Sequence, residues 1–374
     1  MASAIFHVSI GKLALNSPTA DAMSARRSLH PFGGVGLARR SAAVSAGTLE
    51  RVSAFGLATF AGAALVVQNG INTNLRKHCL ASPFAAGALS FAVGTLLLIG
   101  LCVGEIMTGV ARCDGASLRR APWYAYLGGV LGTIYVTSAI LLVEPLGFAT
   151  FQLCATLGQL LSSVCVDAIG LLLLPRRAPT RWRIAAVLAL AGAAALTLEK
   201  VEARGEWYVL LGTCAGAAGA GSIFPVQACV NEVLKSHLKT PLRATLVSFA
   251  VGMCLLVVIT SIVRSTEGPI TDNDPFIAAR RGEWWMWTGG SCGVAVVSGF
   301  VIGVPRLGAA AYTAIFIAAQ LATALVFDAI GAFGFDPIAP TGRRVGGVLL
   351  GVGAAVAFQL EPRARAAAQA IYRI

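Results

Sequence analysis

Ten apolar stretches dominate the chain, at about residues 54–74, 84–104, 122–143, 147–171, 184–199, 206–226, 242–263, 284–304, 308–333 and 343–360. A helix needs roughly 20 apolar residues to cross a hydrocarbon core about 30 Å thick. Lipid offers the backbone no hydrogen-bond partner, so a crossing segment must bond to itself as a helix or join a closed barrel. Barrel strands would be segments of roughly ten residues with alternating apolarity, and no such alternation runs through these stretches. The sequence therefore predicts an all-α, polytopic membrane protein with ten transmembrane helices. Composition agrees, since 12% of the residues are charged against about 25% in an ordinary soluble domain.

The stretches fall into two copies of one five-helix unit. Gln68, Asn72, Arg76 and His78 recur as Gln227, Asn231, Lys235 and His237, 159 residues on. Ser90-Phe91-Ala92-Val93-Gly94 recurs as Ser248-Phe249-Ala250-Val251-Gly252, at an offset of 158. Gly128, Gly129 and Gly132 match Gly289, Gly290 and Gly293, and Gln159 with Asp167-Ala168-Ile169-Gly170 matches Gln320 with Asp328-Ala329-Ile330-Gly331, both at 161. Low complexity aligns Leu with Leu; it does not align Gln, Asn, His and Asp in order at nearly constant spacing. The expected organisation is a basic Ala/Ser-rich tail (1–52), a first repeat (53–202), a second repeat (203–362) and a short C-terminal tail (363–374). Five spans per copy is odd, so the second copy is expected to enter the membrane from the opposite side, giving inverted repeats of the kind many secondary transporters use.

The formal charge of +12 suits nucleic acid on its face, but basic loops orient membrane proteins, and no nucleic-acid partner is expected. Lys and Arg number 20 on the side that carries both tails and 9 on the other, which predicts both termini in the cytoplasm and a plasma-membrane location. The first 50 residues hold five Lys/Arg and two acids; this suits either an organellar transit peptide or an uncleaved tail, and leaves an organellar membrane open. All six Trp lie near the starts of predicted spans, as expected of an interfacial aromatic belt.

Gly132-Thr-Ile-Tyr-Val-Thr-Ser, Pro145-Leu-Gly-Phe-Ala, Gly158-Gln-Leu, Asp167-Ala-Ile-Gly and Pro179-Thr-Arg-Trp-Arg together resemble the YdcZ-like inner-membrane exporters of the drug/metabolite transporter superfamily. The resemblance covers roughly 55–200 and again 205–360. It implies a five-helix unit, duplicated here in one chain, and an export role. The second copy departs from the first at Thr313 for Gln152 and at Ala324 for Ser163.

Polar groups inside a membrane are costly and often mark a pathway. Gln152, Thr156, Gln159, Ser163 and Asp167 are spaced by three or four residues and share one helical face. Gln68 and Asn72, with Gln227 and Asn231, form a second matched set. The expected solute path is Gln68, Asn72, Gln152, Gln159, Gln227, Asn231 and Gln320, with interhelical hydrogen bonding as the alternative role for these amides. Asp167 and Asp328 are the candidate proton-coupling carboxylates, a desolvated acid being able to exchange protons; a bond to a neighbouring helix is the competing role. Gly128/Gly132 and Gly289/Gly293 are G-x-x-x-G pairs expected to pack helices closely. Pro145 and Pro305 are expected to form turns.

The nine Cys residues are scattered with no C-x-x-C pair, so neither a metal nor a disulfide framework is expected. No phosphate-binding loop, H-E-x-x-H or G-x-S-x-G occurs, so no enzyme and no cofactor is expected. The sequence reading is a secondary transporter exporting a small metabolite or drug-like solute, with lipid and that solute as partners, protons as a candidate coupling ion and the oligomeric state open. A non-transporting membrane scaffold and a channel are the alternatives.

Overall fold

A computed structural model of the chain describes residues 33–80, 82–109, 115–172, 176, 178–198, 207–266 and 282–371. The part of the expected targeting tail before residue 33 lies outside them. Helices account for nearly all of the described residues, with no strand among them. They are α1 (Gly33–Leu75), α2 (Pro83–Met107), α3 (Leu127–Leu146), α4 (Phe148–Ile169), α5 (Arg181–Leu196), α6 (Trp207–Leu238), α7 (Pro241–Thr266), α8 (Gly289–Leu307), α9 (Ala309–Ile330) and α10 (Gly342–Ile371). A short helix, Gly115–Arg120, joins α2 to α3. Helix α1 begins well before residue 52, so the last part of the tail is itself helical.

Among the described residues eight helices are long and apolar enough to cross a membrane: the segments Leu49–Leu80, Pro83–Met107, Trp123–Leu146, Phe148–Ile169, Trp207–Leu238, Pro241–Thr266, Gly289–Leu307 and Ala309–Ile330. The other two expected spans, α5 and α10, form helices but are not among these eight. Helix α5 has 16 residues, a rise of about 24 Å. Helix α10 carries Arg343 and Arg344 in its first turn.

Local chemistry sets the boundaries. Ser82 caps α2, its hydroxyl accepting from Ala85 N, with Pro83 as the first helical residue, where its missing N–H costs nothing. Thr180 caps α5 in the same way through Arg183 N. Gly170 and Gly331 end α4 and α9 in the left-handed conformation that an L side chain disfavours. Pro145 and Pro305 do not form the turns expected of them. They lie in the last turns of α3 and α8, and the chain reverses at Gly147 (φ 78°, ψ 162°) and Gly308 (φ 83°, ψ 148°), a backbone region open essentially to glycine alone.

The two copies interlock. Helix α1 packs on α8 and α9 of the second copy, and its repeat mate α6 packs on α3 and α4 of the first. Helix α2 packs on its own mate α7, and α5 on α10. The closest crossings are backbone to backbone: Gly158 faces the Ala218 carbonyl, Gly221 the Ala155 carbonyl and Gly62 the Phe316 carbonyl. Outward faces carry exposed Leu96, Ile99, Val103, Val257, Val258 and Ile262, a surface suited to lipid rather than water.

Candidate functional site

The amides and the glycine pairs, which the sequence presents as separate motifs, meet in space. Gln68 and Asn72 of α1 lie on Gly293 and Gly289 of α8; Gln227 and Asn231 of α6 lie on Gly132 and Gly128 of α3. Both motifs have a four-residue step, one helical turn, so one ladder fits the other. Gln227 Nε2 donates to the Gly128 carbonyl at 2.9 Å. Asn72 Oδ1 and Asn231 Oδ1 are buried without a hydrogen-bond donor and abut the glycine backbones. The adjacent glycines face the other way: Gly129 packs on Ser248 and Gly252 of α7, and Gly290 on Ser90 and Gly94 of α2. Each double glycine thus serves two crossings at once.

A separate polar centre lies where α4 crosses its mate α9, near the midpoints of both helices. Gln320 Nε2 donates to Thr156 Oγ1 at 3.0 Å, and Thr156 Oγ1 donates to the Gln152 carbonyl at 2.7 Å. The Gln152 Nε2 group is buried without an acceptor. Gln159, the mate of Gln320, is half-buried. On α3, the Tyr135 hydroxyl accepts from Asn69 Nδ2 at 3.3 Å, and its ring packs on Phe224 of α6 at 4.5 Å.

Asp167 and Asp328 lie at the helix ends, each paired with an arginine sixteen residues on. Asp328 Oδ1 accepts from Phe148 N at 2.7 Å, Oδ2 accepts from Ala149 N at 2.9 Å, and Arg344 donates to Oδ2 at 2.5 Å. The carboxylate thereby fills the N-terminus of α4, where orphan N–H groups and the helix dipole favour an anion. Its side chain is 2% exposed and that of Arg344 1%. Asp167 pairs with Arg183 at 2.5 Å, but these side chains are 23% and 12% exposed. Among the described residues no carboxylate reaches the N-terminus of α9, where Gly308 and Ala309 are exposed, in contrast to buried Gly147 and Phe148.

Aromatic rings surround Asp328, beside a small cavity of about 120 Å³ lined by Lys77, Glu144, Phe148 and Phe335. Phe148, Phe327, Phe333 and Phe335 stack edge to face and tilted, Trp285 packs on Phe333, and Asn74 Nδ2 donates to the Phe333 carbonyl at 2.6 Å. Lys77 pairs with Glu144 at 2.8 Å and lies over the Phe335 ring. At the opposite rim a small apolar cluster of Ala125, Val233, Leu234, Leu238 and Ala244 forms, and Arg243 of α7 stands 3.8 Å from Glu105 of α2. Leu172, the repeat mate of Phe333 with the same positive φ, is 39% exposed there.

The sequence reading missed the arginine partners, although Asp167/Arg183 and Asp328/Arg344 keep one spacing in both copies. It missed Glu105–Arg243 because that pair has no repeat mate to signal it.

These features define a class: a multi-pass helical membrane protein made of two fused, interlocked copies, polar where α4 and α9 cross at mid-helix and ion-paired near the helix ends. Two segments, 53–196 and 207–357, match the family described as "Putative inner membrane exporter, YdcZ". The chain belongs to this family of membrane transporters, and the resemblance in its motifs is thereby confirmed. A search of curated proteins returns no match. Among solved structures, one titled "Crystal structure of protein" aligns with 84% of this chain and 98% of its own at 20% identity, with a TM-score of 0.49.

Proposed function

We propose that the chain is a secondary transporter that exports a small solute by alternating access between two inverted five-helix halves. The observation that carries this reading is the inequality of matched residues. Asp328, Arg344 and Phe148 are buried at one rim, while Asp167, Arg183 and Ala309 are partly or fully exposed at the other. A static scaffold gains nothing from giving repeat-related residues different environments. A transporter whose halves exchange roles must do so in every state except a symmetric intermediate.

In this reading Asp328–Arg344 on α4 is the closed latch and Asp167–Arg183 the open one. In the opposite state Asp167 would cap α9 and Asp328 would leave α4. The aspartates act as latches rather than proton carriers. The open rim lies on the side of both termini, the cytoplasmic side by charge distribution, which makes this the inward-facing state. The solute path is assigned to Gln152, Thr156, Gln159 and Gln320; Gln68, Asn72, Gln227 and Asn231 hold the halves together on Gly289, Gly293, Gly128 and Gly132.

Proteoliposomes loaded with a metabolite extract of the producing cells test the reading. With the protein, at least one solute should leave at a saturable rate and exchange against itself from outside. A non-saturable leak would indicate a channel, and no loss over empty liposomes would leave a scaffold.

A further inference from the structure

The sequence contains no Asp, Glu, Lys, Arg or His at 53–75, 83–104, 123–143, 148–166, 184–198, 207–231, 244–263, 289–305, 309–327 or 345–360. Every such residue therefore lies outside these ten apolar runs. The rim charges are largely committed: Asp328 to Arg344 and the α4 N-terminus, Asp167 to Arg183, and Lys77 to Glu144. The polar groups near the middle are amides and hydroxyls. Gln320 is bonded to Thr156. Gln152 Nε2 is an unused donor in a residue 1% exposed. The Gln159 side chain makes no hydrogen bond among the described residues and is half-buried.

A buried donor without an acceptor is costly, and a native site tolerates one where a ligand or water supplies the acceptor. A solute with a net charge would meet no countercharge at this level, and an uncompensated charge away from water is far costlier than a paired polar group. A glutamine amide offers one acceptor and two donors in a plane. Its complement is another amide-like edge: a carboxamide, a lactam or a urea.

Resting on the transporter reading, we propose that the solute passes the membrane middle as an uncharged molecule with an amide-like hydrogen-bonding edge, held by Gln152, Gln159 and Gln320. No ionised protein group accompanies it there, so its movement transfers no net charge.

The test uses the full chain in lipid nanodiscs and a panel of matched triplets, each a neutral carboxamide, the carboxylate and the amine on one carbon frame: benzamide, benzoate and benzylamine; nicotinamide, nicotinate and 3-picolylamine; and further aliphatic sets. Unfolding midpoints are read from tryptophan fluorescence. Carboxamides should stabilise the protein more than their charged counterparts. Gln159→Leu and Gln320→Leu should each weaken apparent binding by about fivefold or more. The Thr156 hydroxyl keeps its bond to the Gln152 carbonyl in the second variant, and Gln159 is half-buried, so both variants should fold. A panel in which carboxamides stabilise no more than the charged members overturns the proposal, as does binding indifferent to both substitutions. The best carboxamide is then loaded into proteoliposomes. Selective binding without flux would sustain the solute class while removing the transporter reading; flux favouring a charged member, or driven by an imposed membrane potential, would do the reverse.

Discussion

Replacing Asp328 with Ala should destabilise the protein by about 3–5 kcal/mol, the cost of breaking a buried ion pair by removing one partner, while Asp167→Ala should cost less, because that pair is partly exposed. The two residues are repeat mates with the same arginine spacing, so sequence alone assigns them equal weight. Their surroundings do not. Asp328→Ala leaves Arg344 charged with a side chain 1% exposed and strips the cap from Phe148 N and Ala149 N. Asp167→Ala frees an arginine that already has partial access to solvent and uncaps no helix. Unfolding midpoints in nanodiscs check this. A double variant, Asp328→Leu with Arg344→Met, should recover much of the loss, because an apolar pair of similar volume avoids desolvating two charges. Equal losses for the two single variants would refute the asymmetry.

Gly221→Val and Gly158→Val should prevent stable assembly, whereas Gly56→Ala and Gly100→Ala should be neutral or stabilising. Alanine in place of glycine within a helix gains about 1 kcal/mol in intrinsic propensity. Gly56 and Gly100 have open space where a side chain would begin, so that gain is realised. At Gly158 and Gly221 the first carbon would collide with the backbone of Ala218 and Ala155. No rotamer relieves a clash with backbone; α4 and α6 would have to separate, and overpacking of this kind costs about 1–3 kcal/mol or more. Since this crossing joins the two copies, expression and monodispersity should fall together. A Gly221→Val protein with unchanged unfolding would contradict the interlocked fold.

Much of the architecture was legible because membrane helices are written in long apolar runs and because the repeat aligns polar residues that chance would scatter. The partnership of Gln68/Asn72 with Gly293/Gly289 was not read, although equal four-residue steps in both motifs carried the hint. Sequence places residues on helix faces; it does not say which helix of the other copy a face meets. The role of Gln68, Asn72, Gln227 and Asn231 depends on that choice, since an amide on a glycine ladder is glue and an amide on a cavity is a recognition group. The Asp328 cap was hidden for a related reason: the N–H groups that it satisfies lie about 180 residues away. The prolines misled because Pro145 and Pro305 closely precede Gly147 and Gly308, and it is glycine that supplies the positive φ.

The central claim is that the rims open alternately, and the direct measurement is solvent access at one matched pair of sites. In a background without the native cysteines, single cysteines at Phe148 and at its mate Ala309 are exposed to a membrane-impermeant maleimide from each side. Alternating access predicts rapid modification at 309 from the side of the termini, protection at 148 from the other side, and reversal of both when the open rim is cross-linked shut. Equal modification of both sites, or a pattern that the cross-link leaves unchanged, would contradict it.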